Sequence, residues 1–105
     1  MLAQHFTEEE TTHIFHLVSL AKIFFNRNNY KLSHHYLKKA EKKAKDEENY
    51  ELLDIIYGEF IKLSHEMVTV NPEEYIKSRK ENNGRLQHLR QIDDILAVVN
   101  YKMKI

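Results

Sequence analysis

Seven histidines are scattered through these 105 residues, and two of them, His13 and His16, follow Glu10 at helical spacing. Residues three apart on a helix share a face, so Glu10-x-x-His13 is half of the arrangement with which di-iron carboxylate bundles hold metal. A full site of that kind needs a second copy on another helix. The residues three before the remaining histidines are Leu2, His13, Lys31, Leu32, Lys62 and Arg85, and none is a glutamate. His34 and His35 are adjacent and point about 100° apart on a helix, so they cannot chelate from one face. A metal-binding bundle using Glu10, His13 and His16 is therefore an alternative reading, and no metal or other cofactor is assigned.

Lysine offers a second chemistry. Lys38, Lys39, Lys42, Lys43 and Lys45 lie close to Tyr36, and cations with a nearby ring are what contact with phosphates and bases requires. The run contains no arginine, and Glu41 and Asp46 interrupt it. The whole chain balances sixteen basic against sixteen acidic residues, without the net positive charge of a general nucleic-acid binder. Residues 30–46 carry net +4 and residues 47–70 net −5, so a solvated basic helix facing an acidic neighbour is expected, with nucleic-acid binding as the alternative. Catalytic constellations are missing. Two isolated glycines make no phosphate-cradling loop, no serine stands in a nucleophile elbow, and there is no cysteine. The expectation is a protein that is not an enzyme.

The elements that must position these residues are helices. Apolar content of 42%, 30% charged residues, two glycines and one proline describe one globular all-α domain across residues 1–105. Thr7 and Glu10 form a capping box, so a first helix is expected from there to about Asn26, where Asn26, Asn28 and Asn29 can end it. A second helix follows from about Tyr30 to Lys45, and a third occupies residues 49–70, starting at Asp46 or Asn49 and bearing Leu52, Leu53, Ile56, Phe60, Ile61 and Leu63. Asn71-Pro72-Glu73-Glu74 starts a fourth, over residues 72–104, ~50 Å long if unbroken. It either kinks near Gly84 or projects. Its later half carries Leu86, Leu89, Ile92, Leu96, Val99 and Met103 at spacings of three and four, widened by Ile95 and Val98, which makes a self-association face. No basic segment leads into an apolar run at the amino terminus, and no apolar stretch approaches the roughly 18 residues of a membrane span. A cytoplasmic protein without a membrane partner is expected.

Residues 14–44 hold a more specific pattern. Leu17, Leu20, Ala21, Phe24, Tyr30, Ser33, Leu37 and Ala40 alternate large apolar with small side chains across two helices, and in that order they resemble one tetratricopeptide repeat. Leu53, Ile56, Tyr57 and Phe60 repeat part of the pattern after 36 residues, close to the usual ~34, with Tyr57 at the small position and Gly58 one residue late. The resemblance implies antiparallel helical hairpins that act as a scaffold for another protein or peptide, or for a second copy of the chain. By the same resemblance a partner-binding groove is lined by Phe15, Val18, Ser19, Lys22, Phe25 and Asn26. Phe15, Val18 and Phe25 make that groove apolar, unless the third helix or a neighbouring chain covers them as core. Members that grip a peptide carboxylate have lysine and asparagine where this sequence has Val18 and Lys22, so that activity is not expected. Because such repeats stack in at least three units, the chain either self-associates or belongs to a longer array.

Overall fold

A computed structural model describes residues 8–104 as four helices: α1 Glu8–Asn26, α2 Tyr30–Asp46, α3 Tyr50–Leu63 and α4 Pro72–Lys104. The described residues include no strand, so the all-α class holds. Thr7, half of the expected capping box, lies outside the described residues. The acids Glu8, Glu9 and Glu10 do occupy the first turn of α1, where the helix dipole favours them.

The two turns that fold α1 onto α2 and α2 onto α3 are built alike. Asn28 and Glu48 adopt left-handed backbone, with φ of 62° and 52°. The amides of Asn29 and Asn49 then reach back to the carbonyls of Phe24 and Ala44, both at 2.8 Å, closing the preceding helix. Each asparagine next caps the following helix: its Oδ1 accepts from the Leu32 or Leu52 amide, at 3.3 and 3.2 Å. Tyr30 and Tyr50 start the new helices, and their hydroxyls donate back to Asn28 Oδ1 and Glu48 Oε2 at 3.0 and 3.2 Å. A motif of asparagine followed by tyrosine therefore recurs at both reversals, and Asn49 rather than Asp46 starts α3.

Small residues let α1 and α2 close on each other. Ala21, Ser33 and Ala40 are all buried, and the Ser33 hydroxyl donates to the Ala21 carbonyl at 2.8 Å. Ile14, Leu17, Val18 and Leu37 flank that contact, with Ala44, Ile56, Phe60 and Leu63 completing one core. Burying each large side chain contributes about 1.5–3 kcal/mol. Phe60 is central: Tyr75 of α4 stacks on its ring at 4.2 Å, and His34 of α2 meets its edge at 5.9 Å.

Two boundaries differ from the sequence expectation. The third helix stops at Leu63 rather than near residue 70, and residues 64–71 form turns. The β-branched run Val68-Thr69-Val70 disfavours helix, and Pro72 forces Asn71 out of helical backbone. Val70 instead plugs the core, while Asn71 Oδ1 accepts from the Glu73 amide at 3.0 Å and caps α4. Gly84 does not break α4, which is helical through all 33 residues. α4 packs only on α3 among the other helices, and the molecule is accordingly elongated, 57 × 29 × 20 Å.

Candidate functional site

Two interactions lock the first half of α4 to α3. Arg79 Nε donates to Asp54 Oδ1 at 2.8 Å, and the guanidinium lies over Gly58, where an added Cβ would come within 3.3 Å of Arg79 Nη2. Asn82, fully buried, donates from Nδ2 to the Tyr50 carbonyl at 2.7 Å. Arg90 reaches Glu51 at 4.0 Å. The acidic third helix thus finds cations on α4, not on the lysine-rich α2 that its charge suggested. The reason is local: Lys38 and Lys45 both turn to Glu41 on their own helix, at 3.4 and 3.3 Å. Burial alone would lower the Lys45 pKa, but the Glu41 carboxylate overrides it and holds the amine above its ordinary value. Burial drives the Tyr75 hydroxyl up to about 12, and neighbouring Glu41 pushes in the same direction.

Past Ile92 no described residue of α4 is buried. Every described α4 residue from Asp93 to Lys104 is exposed, including the large apolar side chains Ile95, Leu96, Val98, Val99, Tyr101 and Met103, the last 79% accessible. Of the six residues expected on a self-association face, Leu86 is buried against the body of the protein and Leu89 and Ile92 are half-buried. Leu96, Val99 and Met103 continue the stripe into solvent. Leu86 is thus core rather than a free face, because it lies one helical turn beyond Asn82 on the side that meets α3.

A shallow cleft of 380 Å³ opens where this stripe begins, lined by Phe15 of α1, Ile55 of α3 and Leu86, Leu89 and Asp93 of α4. Phe15 is 51% exposed there. It is the one member of the expected groove that contributes open apolar surface to this cleft. Val18 is 4% exposed and belongs to the core with Ile14, Leu17 and Ala21, so it is core and not open groove. Phe25 is covered by the Tyr30 ring at 5.3 Å and by Lys62, whose amine lies 4.6 Å from the ring centre. Ser19, Lys22 and Asn26 are exposed. The six do not form one surface. Ile55, absent from the sequence reading, had a signal: of the adjacent pair Ile55-Ile56 only one can face the core, and Ile56 does.

His13 and His16 border a shallow surface with Glu8, Glu9 and Thr12, whereas Glu10 lies beside Glu47 at the end of α2 and raises its pKa. Among the described residues no three histidine, aspartate or glutamate side chains converge as metal ligands. Tyr36 is stacked on Phe24 at 5.6 Å and flanked by His35, so its ring is occupied rather than presented to a base. No helix among the described residues is long and apolar enough to cross a membrane. No protein-family model, curated protein or solved structure matches the chain.

Proposed function

We propose that this chain is a non-enzymatic protein–protein interaction module, in which a tetratricopeptide-like hairpin and α3 form a rigid base and α4 presents an apolar stripe. The observation that carries the reading is the distal part of α4, where six large apolar side chains are exposed. Contiguous apolar surface of that kind on a folded protein marks a contact site. The close Ala21–Ser33 approach and the aromatic and small residues of the first hairpin support the repeat-like base. The titratable side chains support a non-catalytic role: Glu41, Asp54 and Arg79 are engaged in ion pairs, and Tyr75 is packed against Phe60.

The test compares the whole chain with a Leu96→Glu/Val99→Glu double variant as bait in extract of its own cells, with untagged chain also added. The wild type is expected to retain proteins or its own copies that the variant loses while keeping the same helical circular dichroism. If both baits retain the same set, the reading fails.

A further inference from the structure

We infer that the occupant of the α4 stripe is a second copy of this chain, the two distal segments pairing antiparallel so that the Met103 end of each reaches the Phe15–Ile55 cleft of the other. This rests on the interaction-module reading and names its partner.

The stripe Leu89, Ile92, Leu96, Val99 and Met103 has alternating spacings of three and four, which is the seven-residue repeat of two-helix packing. An antiparallel pair centred between Ala97 and Val98 sets Ile92 against Met103 and Leu96 against Val99, and two-fold symmetry repeats both contacts. Each layer is then apolar. The net charge of the two ends favours the antiparallel sense. Asp93 and Asp94 open the segment and Lys102 and Lys104 close it, so antiparallel chains bring the acidic end of one to the basic end of the other. Parallel chains would set acid against acid and lysine against lysine. Sliding the antiparallel pair by one heptad toward the base would bring the aspartates of both copies together at the symmetry axis.

The dimensions agree. Ile92 to Met103 spans ~16 Å of helix, which is the free length beyond the base, so each segment bridges from one base to the other without overlap. Met103 of the second copy then lies level with Ile92, beside Leu89, which lines both the stripe and the cleft.

The chain has no cysteine, so single substitutions report register directly. A chain carrying Ile92→Cys is mixed with one carrying Met103→Cys, oxidised, and analysed by mass. A mixed disulfide several-fold above the statistical share is the expected result. A Met103 homodisulfide in excess, or a purely statistical mixture, overturns it. The wild type is expected to double in solution mass across a concentration series and the Leu96→Glu/Val99→Glu variant to stay monomeric. A charge exchange covers the case of a variant that fails to fold. Asp93→Lys/Asp94→Lys should weaken the dimer at least tenfold, and adding Lys102→Glu/Lys104→Glu should restore it. No restoration overturns the register. A monomeric wild type that still retains other proteins through Leu96 and Val99 overturns the self-pairing and leaves the interaction-module reading standing.

Discussion

His34 shows how a residue with several possible chemistries is committed by its neighbours. It is half-buried against Phe60, and burial, then Lys38, lower its pKa from 6.5, with His35 adding to the effect and Glu41 opposing it. A histidine whose folded pKa lies below its unfolded one binds fewer protons when folded. Stability is therefore complete above pH 6.5 and falls as pH drops through that value toward the folded pKa. The urea midpoint is expected to be lower at pH 5 than at pH 7.5, and His34→Gln should shrink that difference. An equal difference in the variant would remove His34 from the account. The sequence counted seven histidines but could not tell this one from the rest, because its surroundings come from Phe60, 26 positions away. Ser33 was more legible. A small residue seven positions before Ala40 implies a close helix contact, and its bond to the Ala21 carbonyl is that contact. Asn82 was not legible at all. An asparagine beside another asparagine and a glycine reads as a break, yet it is buried inside a continuous helix, one amide hydrogen bond holding it to α3.

At the scale of the element, local signals located the helix starts and misjudged two other boundaries. Asn49 and the Asn71-Pro72 pair act through their own side chains within two or three residues, which is why they can be read from the sequence. The end of α3 depends instead on Val70 finding a place in the core, a tertiary event. Gly84 is the opposite case, a residue with breaker chemistry that breaks nothing, because α3 holds the helix at Arg79, Asn82 and Arg90 on either side. Nothing lies within 4 Å of a Cβ placed there, and its φ is not positive. Gly84→Ala should therefore stabilise the protein by about 0.8–1 kcal/mol, the ordinary difference in helix propensity. For a chain of this size that is an upward shift in melting temperature of roughly 4–8 °C. A fall in melting temperature would mean that Gly84 serves a contact the described residues do not contain. The same substitution at Gly58 is not equivalent, because the new methyl would press on Arg79 and its pair with Asp54.

At the scale of the whole molecule, the structure divides into a base with one core and a rod that leaves it. α4 up to Ile92 is partly buried against the base, while the described residues beyond it are helical and exposed. Amide exchange measures this division, since protection follows the free energy of local opening. In dilute solution, amides in the first half of α4 should exchange at rates set by the stability of the base, and protection should drop steeply between Ile92 and Ile95. Raising the concentration should protect residues 95–102 most, with a smaller gain around Phe15 of α1, because pairing stabilises the state in which the rods and the cleft are in contact. Uniform protection along α4 at every concentration would show that the rod is stabilised by its own chain. The apolar stripe was legible in the sequence because its spacing is periodic. Which part of it stays open was not, since that depends on where α3 begins beside it: Leu86 is buried near the start of α3, and Met103 lies beyond it.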